Sequence, residues 1–223
     1  MKRLIALWLA ALMLAAQPIQ AAVCVGFGQT TGGPTLVLDD TLYEASSTAL
    51  TSHTVSPGPG GPWSALTAGL LVGTEGVSQL GTSVLYAITD ETIAEGSVVV
   101  TGKTVTASST RSIGAVLLAV DGSAYDGYRA LLTGLGSLSL KRMDDGTSTE
   151  IQTSVTCAGH DVNTEYEVKL TRSGVSPNQI ITGEVVGQSC SLSATDNTYS
   201  SGSPGIALLN DTPRITGIKA YSE

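Results

Sequence analysis

Hydrolysing a glycosidic bond takes two carboxylates facing one another, one as acid and one as nucleophile or base. The pair spaced to share one face of a strand is Glu165 with Glu167, in "TEYEVKLTR". There Tyr166, Val168 and Leu170 alternate with Glu165, Glu167, Lys169 and Thr171. A period of two places the acids on the solvated side of a strand rather than in a cleft. His53 and His160 are the two histidines. His160-Asp161 invites a triad reading, but no G-x-S-x-G elbow accompanies it, and serine is too abundant to single out a nucleophile. A histidine in a polar loop needs no catalytic role, so no catalytic residue is assigned and binding rather than catalysis is expected.

Binding chemistry has better candidates. Trp63, Tyr125 and Tyr128 are expected at loops or strand edges, where aromatic faces could stack on a ligand beside fixed polar groups. Arg129, Lys141 and Arg142 fall on successive strand-like segments of a chain poor in cations, and could meet an acidic sugar. Charge compensation on a solvated face is the plainer reading of the same three residues. Calcium takes carboxylate and carbonyl oxygens, which makes Asp39, Asp40, Asp121 and Asp126 candidate ligands for a structural calcium ion, with Asp144, Asp145 and Asp196 behind them. None forms a spaced D-x-D-x-D-G series, and Asp is common in turns for backbone reasons alone. No CxxC or histidine-rich spacing supports zinc.

The elements that must hold these residues are strands. Apolar residues recur at two in "SVLYAI", "SVVVTGKTV", "YRALLT", "SLSLKRM", "TEIQTSV", "QIITGEVV", "SCSLSA" and "ITGIKAY", with "IGAVLLAV" and "GIALL" as nearly continuous apolar runs. Gly, Asp, Ser and Asn clusters separate them. Many short strands at this spacing predict an all-β sandwich or jelly roll. Asp145-Gly146 predicts a tight hairpin, because its turn needs positive φ, and Gly187-Gln188 predicts another. "SPGPGGPW", residues 56–63, reads as a loop inside one domain. Ser201-Gly202-Ser203-Pro204-Gly205 is expected to be a type II turn leading into "GIALL".

Composition narrows the partners. The chain has 223 residues and a net charge of −8, without the Lys and Arg clusters that nucleic acid would demand. Lys2 and Arg3, the apolar run Leu4–Ala16 and the small residues after it have the anatomy of a secretory signal peptide over 1–22. Gln17-Pro18-Ile19-Gln20 ends that run short of the ~20 residues a membrane span needs. A secreted or periplasmic protein is expected, with no membrane insertion after cleavage. In that oxidising compartment thiols tend to pair. Cys157 and Cys190, at the edges of strand-like segments, are the favoured bridge; Cys24 is a free thiol or an alternative partner.

In order, "LDDTLYEASSTALTSHTVSPGPGGPWSAL", "IGAVLLAVDGSAYDGYRALLTGLGSLSLKRMDDGT" and the closing "YEVKLTRSG", "ITGEVVGQSCSLSATDNTYSSGSPGIALL" and "ITGIKAY" resemble concanavalin A-like, LamG-type jelly-roll domains of bacteria and their phages. The resemblance covers roughly residues 36–222. It implies one concanavalin A-like domain over 23–223, a two-sheet antiparallel jelly-roll β-sandwich whose concave face binds carbohydrate in many relatives, sometimes with calcium. Enzymatic laminarinase-like relatives carry E-x-D-x-E on one strand, and this chain does not. The leading expectation is an exported, non-catalytic, lectin-like protein for a glycan or another extracellular or cell-surface ligand. A divergent glycan hydrolase or lyase and a structural surface or adhesion component are the alternatives.

Overall fold

The computed structural model describes residues 33–223 except 57, 67, 80–83, 122, 123 and 211, and the side chains of 84, 85 and 121. The expected signal peptide, Cys24 and the side chain of Asp121 lie outside the described residues. Sixteen strands run through the described chain: β1 (Thr35–Asp40), β2 (Thr48–Ala49), β3 (Trp63–Ala65), β4 (Leu70–Gly73), β5 (Gly76–Gln79), β6 (Val84–Thr89), β7 (Gly96–Lys103), β8 (Ser112–Asp121), β9 (Ala124–Thr133), β10 (Ser137–Asp144), β11 (Thr147–Thr156), β12 (Tyr166–Ser173), β13 (Ile180–Val185), β14 (Ser191–Thr195), β15 (Ser203–Leu209) and β16 (Arg214–Ser222). One 3₁₀ turn, Leu50–Ser52, interrupts them.

All strand pairings are antiparallel. A seven-stranded sheet has the order β11-β10-β9-β8-β15-β6-β3. A nine-stranded sheet has the order β14-β13-β12-β7-β16-β5-β4-β2, with β1 also on β16. The two pack face to face around one apolar core. Val98, Val100, Val168, Leu170 and Ile218 come from the larger sheet and Ile113, Leu117, Ala130, Leu140 and Ile206 from the smaller, all buried. Gly183 sits where a Cβ would come 3.0 Å from that of Ala130, so the sheets approach closely there. The two-sheet antiparallel sandwich expected from the alternation is the observed architecture.

Local readings fare unevenly. Asp145 and Gly146 have φ of 50° and 71° and join β10 to β11, the mirror-image turn that matches strand twist. Gly187, at φ 78°, turns β13 into β14. Residues 58–62 lie in a loop whose Pro59 and Gly58 pair with the backbone of Asp39. The turn expected at Ser201–Gly205 is not where the sequence suggested. Ser203, Pro204 and Gly205 already belong to β15, and Gly202 bridges Ile93. Proline is tolerated because it stands near the strand start, opposite Leu117 of β8 but before the pairing with β6 begins at Gly205.

Cys157 follows β11 and Cys190 precedes β14, and they form a disulfide with the α-carbons 5.2 Å apart. The bridge therefore ties an edge strand of one sheet to an edge strand of the other.

Candidate functional site

Alternation along β9 sorts its side chains. Tyr128, Ala130 and Leu132 point into the core, which leaves Tyr125, Arg129 and Leu131 on the outer face of the seven-stranded sheet. Cross-strand register extends that face into a row of Glu150, Lys141, Arg129, Val116, Gly205, Ile88 and Ser64. A neighbouring row runs Ser139, Leu131, Gly114, Ala207 and Tyr86. Tyr86, Val116, Leu118, Leu131 and Met143 form a second buried apolar cluster here, separate from the inter-sheet core.

This face is concave, and the side chains prove it. Arg129 Nη2 donates to Ser148 Oγ at 2.7 Å, and Arg129 Cζ lies 5.5 Å from the centre of the Tyr86 ring. Ser148 is on β11 and Tyr86 on β6, five strand steps apart, about 24 Å along a flat sheet. Ordinary bond lengths let the route through Arg129 span at most roughly 16 Å between the two α-carbons. Only a sheet curled toward this face brings them so close. The Tyr86 and Tyr125 rings meet on its floor, with centroids 4.7 Å apart and planes at 56°. To get there from β6, Tyr86 crosses β15 and β8, where its row holds only Ala207 and Gly114. Larger side chains at those positions would stand in its way.

Arg129 is the electrostatic centre of this floor. It is 6% exposed, its Nε has no hydrogen-bond partner, and among the described residues no carboxylate lies within ion-pairing distance of it. Burial pushes its guanidinium down to about 10. Its direct cross-strand neighbour is a second cation, half-buried Lys141. Beyond Lys141 stands exposed Glu150, whose Oε1 is taken by Ser154 N and Oγ, at 2.7 and 2.5 Å.

Arg142, next along β10, points the other way. It pairs in register with Tyr128 and reaches a polar cluster at one end of the sandwich. Its Nε donates to Asp144 at 2.8 Å and its Nη1 to Asp196 at 2.9 Å. Those hydrogen bonds, first Asp144 and then Asp196, raise its affinity for its proton above the usual value for arginine. Tyr199 Oη donates to Asp144, and Tyr128 Oη to Asp196 at 2.8 Å. The Tyr199 and Arg142 bonds hold the Asp144 carboxyl low; burial opposes the same shift at Asp196, where Thr198, Tyr128 and Arg142 prevail. Tyr128 is 1% exposed, so its ring offers no face to a ligand; its hydroxyl is pushed up to about 12, mainly by burial.

Trp63 corrects the sequence reading in the same way. It is 3% exposed, and its indole N–H donates to Asp40 Oδ2 at 2.8 Å. Asp40, 1% exposed, also accepts from His53 Nε2 at 2.9 Å and from the backbone N–H of Leu42. A buried carboxylate needs such donors. His53 Nδ1 meets Glu44 Oε1 at 2.7 Å, so both ring nitrogens face acceptors and the charged imidazolium is favoured. Burial works against that charge, but the bonds and charges of Asp40 and Glu44 together leave the His53 pKa raised. Since Asp40 sits on β1 and Trp63 on β3, the cluster fastens the two sheets together.

The calcium candidates whose side chains are described do not converge. Both Asp40 oxygens are occupied by protein donors, Asp126 accepts the backbone N–H of Asp145, and Asp39 lies with the 58–62 loop. Asp144 and Asp196 hold Arg142. Among the described residues no three His, Cys, Asp or Glu side chains form a group able to hold a metal ion. These residues do not fit the ion.

Of the sequence candidates, the fold therefore brings Tyr125, Arg129 and Lys141 together and separates Trp63, Tyr128 and Arg142 from them. Tyr86 was missed, because "SVLYAI" reads as an ordinary half-buried strand. The usable signal was "IGAVLLAV": a continuous apolar run marks a strand covered on both faces.

No protein-family model matches this chain, and neither does any curated protein sequence. Solved structures do. The chain is similar to the carbohydrate-binding module CBM66 from Bacillus subtilis, with a TM-score of 0.59 and 15% identity over 73% of this chain and 95% of that one. A Bacillus licheniformis β-glucanase gives 0.50 and 14% over 86% and 99%. The VIP36 exoplasmic/lumenal domain, solved with Ca2+ and Man3GlcNAc, gives 0.53 and 11% over 71% and 82%. At these identities the likeness establishes the fold, a concanavalin A-like jelly roll.

Proposed function

We propose that this protein binds carbohydrate, without catalysis, on the concave face of its seven-stranded sheet. The observation that carries the reading is the floor itself: the half-buried Tyr125 ring packed against buried Tyr86, Arg129 held over that buried ring, and polar Ser64, Ser148 and Glu150 exposed along the same face. Aromatic surface with a few fixed polar groups is the general composition of a small-molecule site. Similarity to a carbohydrate-binding module supports it, although the glucanase shares the fold and one fold hosts many functions. Against hydrolysis, the rows of this face that register defines contain one carboxylate, Glu150, where two facing acids are required. The disulfide supports an oxidising, extracellular setting.

The test is binding of the purified protein to a panel of neutral and acidic polysaccharides, with reducing-end release measured in parallel. Binding without release is the expected result. Release of products would turn the assignment to a hydrolase or lyase, and absence of binding to every polysaccharide would remove the carbohydrate reading.

A further inference from the structure

The concave floor contains an arrangement that folding alone does not favour. Arg129 is nine-tenths buried with an unpartnered Nε and no counter-ion among the described residues. An uncompensated buried charge is destabilising unless something pairs with it. Lys141 stands directly across from it on the same face, and like charges at opposed positions repel. The nearest acid in the row, Glu150, gives its Oε1 to Ser154, whose bonds, with the charge of Lys141 opposite, hold its carboxyl low; it does not pair with Arg129. All this occurs in a chain with 19 acidic and 11 basic residues. Acids were available in plenty to neutralise Arg129, yet among the described residues none is placed beside it; Glu150 stands opposite Lys141 only.

The Arg129 side chain is nevertheless held in position. Ser148 Oγ fixes Nη2, and the Tyr86 ring lies beneath the guanidinium. A planar guanidinium anchored through Nη2 keeps further N–H donors in a fork that suits an oxyanion, and its unpartnered, buried Nε leaves its charge uncompensated. Lys141 adds a second positive charge one strand away.

We infer that the ligand of this face is an anionic glycan, whose carboxylate or sulfate pairs with Arg129 and Lys141 while Tyr125 supplies sugar-facing aromatic surface. This inference rests on the carbohydrate reading above and adds the charge of the ligand.

Affinity electrophoresis or calorimetry on the purified protein decides it, using polygalacturonate against its fully methyl-esterified form and dextran sulfate against dextran. In each matched pair the polymer differs only in its anionic group. Tighter binding of at least one anionic member, by about tenfold or more, is expected from a charge-assisted hydrogen bond. The two arms separate carboxylate from sulfate. Arg129→Gln and Lys141→Gln should each bring the anionic polymer down toward its neutral counterpart, whereas Tyr125→Ala should weaken both members alike. Lys141 is half-buried, so Lys141→Gln keeps the test open if Arg129→Gln fails to fold. Equal affinity within both pairs would overturn the inference and leave the carbohydrate reading standing. Binding to none of the four polymers would overturn the inference, while the wider panel of neutral and acidic polysaccharides decides the carbohydrate reading.

Discussion

Arg129 and Arg142 lie on adjacent strands of one sheet, and they live in opposite electrostatic worlds. Arg142 is 28% exposed at its side chain and holds two carboxylates, Asp144 and Asp196. Arg129 is almost wholly buried and holds none among the described residues. The difference arises from strand parity. In the β9–β10 register Arg129 faces Lys141 and Arg142 faces Tyr128, so the two arginines emerge on opposite sides of the same sheet. On one side the nine-stranded sheet supplies Asp196, just past β14, to complete a network with Tyr128 and Gln179. On the other side no second sheet supplies an acid. What separates a structural arginine from a candidate binding arginine here is whether the opposing layer provides a counter-ion.

Mutations can break that contrast. The largest effect is expected for Asp196→Ala, which strips Tyr128 Oη, Arg142 Nη1 and the Thr198 N–H of one shared acceptor. Unfolding in urea should show a loss of about 3 kcal/mol, in the range for breaking a partly buried hydrogen-bonded network. Arg142→Met should cost about 2 kcal/mol by the same measurement, since Asp196 keeps its other two donors.

The acid limb of stability should separate the two regions as well. Asp144 and Asp196 have folded-state pKa values below their ordinary ones. Their contribution is therefore complete above the unfolded carboxylate pKa of about 4 and is lost as the pH falls through the lower folded values. In Arg142→Met the slope of stability against pH below about 4 should be shallower than in the wild type. Arg129→Met should leave that slope unchanged, because no carboxylate among the described residues pairs with Arg129.

The next prediction is small by design. Arg129→Met should change stability by less than about 1 kcal/mol in either direction, because an apolar side chain of similar length exchanges an unpaired buried charge for packing against Tyr86. A loss as large as that of Arg142→Met would mean that Arg129 is a structural anchor after all. Smallest of all, Lys141→Gln should change stability by no more than a few tenths of a kcal/mol, because relief of the like charge at Arg129 and loss of the opposite charge at Glu150 offset each other. A loss of about 1 kcal/mol or more, the size of a strong cross-strand pair, would show that the Glu150 contact outweighs the repulsion from Arg129.

Much of the fold was legible before any coordinates. The β10–β11 turn could be read from Asp145-Gly146 because positive φ at both positions favours those residue types. The inward set Tyr166, Val168 and Leu170 of β12 could be read from alternation alone, and these residues are buried. The bridge between Cys157 and Cys190 followed from strand-edge placement and is present. The candidate site was legible only in part. Tyr125, Arg129 and Lys141 were named, but in company with Trp63, Tyr128 and Arg142, which serve the interior. The turn assigned to Ser201–Gly205 failed because Pro and Gly were read as punctuation, whereas Pro204 and Gly205 fill a strand where the pairing partner has not yet begun or approaches too closely for a side chain.

By itself the sequence determined which residues alternate, where the chain can reverse, and how few cations it has to spend, since period-two patterning and turn conformations are local properties of the backbone. It could not determine which side of a strand becomes the core. That choice belongs to the packing of two sheets, and it decided that Trp63 and Tyr128 would be buried hydrogen-bond donors. Curvature decided the rest. Only a sheet bent toward its outer face could bring Tyr86, Tyr125 and Arg129 together from strands so far apart in the order, because side chains a few ångströms long can meet across several strands only where the surface beneath them is concave.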